Sequence, residues 1–223
     1  MIKNFNKLFC IGLNKAGTTS LYYAFGKLGF KALHNAPNKR AGAKEYDKAA
    51  RILNASIRSA KKNGKQLLTG YEDYDAYLDI DSVNRNFEIL DNQCPNSKFI
   101  FTDRDVGDWI DSRVKHVIRN RKYKEKGLYN GTFLEIKPAE WAKERKSYLN
   151  HVTTYFKGRE EDLLIMNVAS GDGWEKLCPF LGLPVRTDPF PWQNKTNMFN
   201  KIKSWVTLYF RFVVDSRSDN GEV

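Results

Sequence analysis

The segment 8–21 constrains this chain most. An apolar, strand-like run, Leu8-Phe9-Cys10-Ile11, passes through a loop bounded by Gly12 and Gly17 into a helix-like run that opens at Thr18-Thr19-Ser20-Leu21. Two glycines at this spacing bracket a tight turn whose backbone N–H groups converge on an anion at a helix N-terminus. In the nucleoside-triphosphate loop G-x-x-x-x-G-K-[ST] the lysine follows the second glycine. Here Thr18 holds that place and Lys15 precedes Gly17 by two residues. The loop therefore reads as a phosphate cradle with a displaced cation.

The rest of the chain repeats the alternation that this first unit begins. Apolar runs at 8–12, 66–69, 98–102 and 163–167 read as buried strands, and helical periodicity marks 19–28, 44–62, 82–92, 106–120, 140–156 and 173–181. Pro138 stands where a first-turn proline belongs. Arg119 to Lys126 is a dense basic run without periodicity and reads as an exposed loop. Strands that are nearly continuous apolar runs and alternate with helices predict an α/β fold, a three-layer parallel sheet with helices on both faces, like that of P-loop nucleoside-triphosphate hydrolases. Ligands of such sheets bind beyond the carboxyl ends of the strands. Both 12–19 and 103–105 fall at such ends. No linker divides 1–197, so one domain is expected there, followed by a helix and polar tail over 198–223.

The net charge of +11 in 223 residues favours anionic partners. The 26 acidic residues are interleaved with the basic ones along most of the chain, as on a solvated basic surface. Cys10, Cys94 and Cys178 lie far apart, which gives neither a zinc signature nor a disulfide framework. With no signal-peptide pattern near Met1, a cytoplasmic setting is expected.

A second motif follows the run at 98–102. Arg104 stands at its end and Ser112 eight residues later, close to two helical turns, so that both can approach one phosphate. Together with the first loop this resembles the family of sulfotransferases that use 3'-phosphoadenosine 5'-phosphosulfate. Their P-K-x-G-T-[ST] loop is matched by Asn14-Lys15-Ala16-Gly17-Thr18-Thr19, with Asn14 in place of the proline, and their arginine-serine pair by Arg104 and Ser112. The resemblance implies that Asn14, Lys15, Ala16, Gly17, Thr18, Thr19 and Ser20 hold the 5' end of the donor and that Arg104 and Ser112 hold its 3'-phosphate. Lys195, in the Asn194-Lys195-Thr196 segment, is implied as a further donor contact. No metal is required by this chemistry. The acceptor implied is a hydroxyl (or amine) of a carbohydrate or small metabolite.

Lys15 is expected to act in catalysis by stabilising the oxygen that leaves with the 5'-phosphate. A base must take the acceptor proton, and the sequence offers Glu72, Asp73, His34, His116 and Asp79. Glu72 leads, because Tyr71-Glu72-Asp73 resembles the phenylalanine-glutamate-lysine segment of carbohydrate sulfotransferases. Asp73, His34 and His116 are the candidate substrate contacts.

Two other classes compete. A nucleotide-dependent kinase would use the run 99–103 as a strand ending in a metal-binding aspartate, but Lys15 is misplaced for it. A nucleic-acid-binding protein would use the charge, yet no recognition module is present, which makes nucleic acid an unlikely partner. The aromatic segment 198–214 is too charged to span a bilayer and offers a face for packing, a membrane surface or a partner.

Overall fold

The computed structural model describes residues 4–35 and 44–192, the side chains of 44–48 excepted. Five strands form one all-parallel sheet: β1 (Leu8–Cys10), β2 (Ala32–His34), β3 (Ala76–Leu78), β4 (Lys98–Thr102) and β5 (Leu163–Met166), in the order β2-β3-β1-β4-β5. The helices are α1 (Thr18–Lys27), α2 (Lys44–Lys62), α3 (Asp81–Asn84), α4 (Phe87–Gln93), α5 (Val106–Glu125), α6 (Pro138–Tyr155) and α7 (Trp174–Phe180). No helix among the described residues is long and apolar enough to cross a membrane.

The period-two alternation of side chains sorts the core into two layers. Leu8, Cys10, Leu78, Ile100 and Met166 pack under α1 and α7, with Leu21, Phe25, Trp174 and Leu177. Phe9, Ile11, Tyr77, Phe99 and Phe101 face the other way, onto Leu53 and Ile57 of α2, Phe87 and Leu90 of α4, and Val152 of α6. Across β3, β1 and β4, Phe9 meets Tyr77 at 5.4 Å and Phe99 at 5.2 Å between ring centroids, and both are its register partners. Such cross-strand aromatic pairs fix register as well as burying area. The predicted three-layer architecture is the one observed.

Three expectations about elements need correction. The run 66–69 is not a strand: it lies in turns between Gly64 and Gly70, both at positive φ, and it buries Leu67 and Leu68 in the α2 layer. The strand that follows α2 is Ala76–Leu78, after the polar segment instead of before it. Helix 82–92 is two helices, α3 and α4, broken at Arg85 and Asn86. The basic run 119–126 is no loop, since α5 continues to Glu125. Its buried Asn120 donates to the Phe133 carbonyl at 3.0 Å, and Arg121 Nε donates to that of Leu134 at 2.7 Å, so the returning chain is tied to this last stretch of helix.

Candidate active site

β1 is the central strand. The chain leaves it through α1 toward β2 and β3 and later crosses to β4 on its other side. The loop after β1 therefore sits where the strand order reverses, the ligand crevice of open α/β sheets.

Gly12 lets this loop leave the sheet. A Cβ there would lie 2.1 Å from Thr102 Oγ1 and 2.4 Å from the Thr102 backbone nitrogen. Gly17, at φ 101°, makes the turn into α1, and a Cβ on it would press on Val168 at 3.1 Å. Between them Lys15 takes φ 69°, a conformation rare for a lysine.

The loop's backbone polar groups are divided. Its carbonyls are taken from outside: Tyr148 Oη–H donates to Ile11 O at 2.9 Å, Asn84 to Gly12 O at 2.9 Å, Trp109 Nε1–H to Asn14 O at 2.8 Å and Arg104 to Lys15 O at 3.3 Å. Among the described residues, no carbonyl or side chain takes the N–H groups of Asn14, Lys15, Ala16, Gly17, Thr18 or Thr19, and α1 has no side-chain cap. Buried or half-buried donors left open in this way require an acceptor from elsewhere. A consecutive set of them at a helix N-terminus suits an anion.

Cations surround the loop. Arg104 is half-buried in the bend between β4 and α5. That bend is fixed by Asp105, which caps α5 by accepting from the N–H groups of Gly107 and Asp108 at 2.9 and 3.0 Å, and by Arg145, which donates to Asp103 and to the Arg104 carbonyl. Arg104 Nε is buried without a hydrogen-bond partner among the described residues. Ser112 and His116 stand four residues apart on α5, on one helical face. Burial, and then the Arg119 charge, hold the Lys15 ammonium below its usual range, while Asp79 works in the opposite direction. Burial first, followed by Lys15, Arg119 and Arg113, pushes the half-buried His116 down to about 4, and its Nδ1 has no partner among the described residues.

Among the described residues, Asp79 is the carboxylate whose charge partly offsets these effects on Lys15. It follows β3 directly, at φ 56°, and no donor among the described residues bonds to it. Burial raises its carboxyl to about 6, against the pull of Lys15. Two residues in strained left-handed conformations, a lysine and an aspartate, thus stand at the sheet's carboxyl edge within reach of each other's charge, and such strain persists where the surroundings over-determine it.

With this geometry in view, comparison with models of known protein families matches residues 7–199 to one described as a sulfotransferase domain. The chain belongs to the sulfotransferase family. A search of curated proteins returned no match. The family makes the chain a transferase of sulfuryl groups.

Not every residue singled out in the sequence reaches this site. Glu72 and Asp73 are exposed at the opposite edge of the sheet. Lys7, just before β1, donates to the carbonyls of Glu72 and Tyr74, which sets that segment at the amino ends of the strands. With β3 at Ala76–Leu78, Tyr71 to Asp75 precede the strand, so a sheet's depth of roughly 10 Å separates Glu72 from the sulfotransferase loop. Glu72 as base and Asp73 as substrate contact are therefore corrected.

His34 ends β2 at the correct edge but is 3% exposed, stacked on Tyr22 at 5.2 Å with Nε2 3.3 Å from Thr18 Oγ1, so it supports the loop from beneath and is closed to substrate. Ala16, Thr18 and Ser20 are likewise buried, which leaves Ala16 and Thr18 to present backbone N–H groups. Lys195 and the segment 198–214 lie outside the described residues. No periodicity or motif in the sequence marks Asn84, Tyr148 or Arg113, which bond to the loop from remote elements, or Arg119, whose charge acts on Lys15.

Proposed function

We propose that this sulfotransferase moves a sulfuryl group from 3'-phosphoadenosine 5'-phosphosulfate to a hydroxyl (or amine) of a carbohydrate or small metabolite. The carrying observation is the loop in which the carbonyls of residues 11, 12, 14 and 15 are bonded away while the N–H groups of 14–19 stay open beside Lys15. Open amides and cations form a donor set that fits phosphate and sulfate oxygens and suits no cationic or neutral group.

In this reading the N–H groups of residues 14–19 and Lys15 hold the 5' end, and Arg104, with its unpartnered Nε, and Ser112 hold the 3'-phosphate. The bound donor supplies the sulfuryl group and a phosphate oxygen that gathers negative charge as it leaves. Lys15 and the loop amides are fixed in advance where that charge grows, so they stabilise it without reorganising. Asp79 accepts the proton of the acceptor hydroxyl. Its carboxyl titrates at about 6, close enough to neutrality to be ionised yet basic enough to take a proton.

Calorimetry with 3'-phosphoadenosine 5'-phosphate tests the donor site. The wild type should bind, and Arg104→Ala should bind at least about tenfold more weakly, as expected for loss of a charged hydrogen-bond donor. Turnover, followed as release of this nucleotide from the donor, should fall by about a hundredfold or more in Lys15→Ala with binding less affected. A wild type that does not bind the nucleotide would overturn the reading.

A further inference from the structure

We propose that Arg113 is a positioning residue for the phosphate loop: a guanidinium caged by three aromatic rings that latches Asn14 and so holds Lys15 in its left-handed conformation. This rests on the donor-binding reading above and adds to it a residue that touches neither donor nor acceptor.

Arg113 follows Ser112 on α5 and is 9% exposed. Its guanidinium lies 4.8 Å from the ring centre of Trp109, 4.8 Å from that of Phe133 and 4.6 Å from that of Trp141. No carboxylate among the described residues forms an ion pair with it. A cation held in this way is stabilised by ring faces and keeps its N–H groups for another acceptor. That acceptor is Asn14: Arg113 Nη1 donates to Asn14 Oδ1 at 3.3 Å, while Trp109, a wall of the same cage, donates to the Asn14 carbonyl at 2.8 Å.

The residue after Asn14 is the strained one. Lys15 has φ 69°, and its carbonyl is held on the far side by Arg104. Asn14 is thus tied at side chain and backbone, Lys15 at its carbonyl, and the dihedrals between these bonds have little freedom. Releasing Asn14 lets Lys15 relax toward negative φ, which turns its N–H group and its side chain away from the cradle. The cage also sets a buried positive charge behind the loop, which favours an anion in front of it.

A double-mutant cycle separates a latch from a residue that merely fills the core. Calorimetry with 3'-phosphoadenosine 5'-phosphate is run on the wild type, Arg113→Met, Asn14→Ala and the double variant, with circular dichroism to confirm folding. Each single variant should bind about tenfold more weakly, and the double variant no more weakly than Arg113→Met alone, because both remove one latch. Arg113→Lys should not restore affinity, since an ammonium lacks the planar fork that stacks and reaches Asn14 together. If Arg113→Met does not fold, Asn14→Ala carries the test alone, and wild-type affinity in that variant overturns the latch. Independent effects that multiply in the double variant overturn it too. A wild type that fails to bind the nucleotide overturns the donor reading beneath it, a result distinct from either of these.

Discussion

Replacing Asp79 by Asn should make the protein more stable and nearly inactive, and the size of both effects follows from the site. Burial raises the Asp79 carboxyl from 3.8 to about 6 even with Lys15 drawing it down. An acid whose pKa is raised on folding binds its proton more tightly in the folded state, so stability falls as pH rises from 3.8 to about 6 and stays lower above that. A shift of about two units corresponds to about 3 kcal/mol at neutral pH. Asn is neutral at every pH and close in shape, so Asp79→Asn should be more stable by up to about 3 kcal/mol at pH 7 and by little at pH 4. Urea unfolding of both proteins between pH 4 and 7 reads this difference directly, because other carboxylates cancel in the subtraction. Over the same range wild-type turnover should climb through about pH 6, and the variant should lose about a hundredfold or more with no such limb. A stability difference independent of pH would show that folding does not raise the Asp79 carboxyl. Full turnover in Asp79→Asn would assign the proton to another group.

Other substitutions separate the loop from its surroundings. Gly12→Ala puts a methyl 2.1 Å from Thr102 Oγ1 and 2.4 Å from its backbone nitrogen, so it should destabilise by about 3 kcal/mol or prevent folding, measured by thermal melting. Gly26→Ala, whose methyl meets nothing within 4 Å on the exposed side of α1, should instead stabilise by about 0.5–1 kcal/mol. Glu72→Gln should leave turnover near wild type, since the residue lies at the far edge of the sheet; a large loss would contradict the topology. Burial lowers His34 from 6.5 to about 4, so the folded state resists its protonation, and stability should fall by up to about 3 kcal/mol as pH drops through that window. His34→Gln should remove this share of the acid sensitivity in urea titrations and leave the share that belongs to His116.

The parts of the fold that the sequence discloses are those in which local pattern and tertiary environment agree. β1 and β4 are apolar runs buried in the sheet, β5 is an apolar run at its edge that leaves Ile165 exposed, and α1, α2 and α6 carry their apolar residues at helical spacing. The pair Leu67-Leu68 misleads because burial alone does not make a strand: both are buried, but in turns between two glycines at positive φ. β2 and β3 are only three residues long, and Ala76-Tyr77-Leu78 follows an acidic stretch that hides it. That single displacement carries Glu72 from one edge of the sheet to the other and brings Asp79 to the site instead. The loop is legible because its glycines and lysine fall within one short segment, residues 12–17. Its supports are not, since the Tyr148 bond to Ile11 spans 137 residues and leaves no periodic trace.

These supports explain why the site is built from groups that the folded chain alone leaves unsatisfied. Lys15 and Asp79 are held in left-handed conformations, and among the described residues Arg104 and Arg113 each bury an Nε without a partner, His116 buries Nδ1 likewise, and the amides of residues 14–19 lack acceptors. Each of these is a loss of stability in the folded chain, and local consistency elsewhere in the sheet has to outweigh them. The loop amides, the Arg104 Nε and the charge of Lys15 would be relieved by negative charge at one place, and Asp79 would not. An anion that accepts the loop amides and meets the cations restores hydrogen bonds already missing, so much of its binding free energy comes from satisfying groups that folding has oriented in advance. Asp79 is the exception, and its exclusion is informative: a carboxylate beside an anion site is repelled by the ligand, which raises its basicity further once the donor is in place. The same charge that fills the cradle would therefore strengthen Asp79 in the role of base proposed for it.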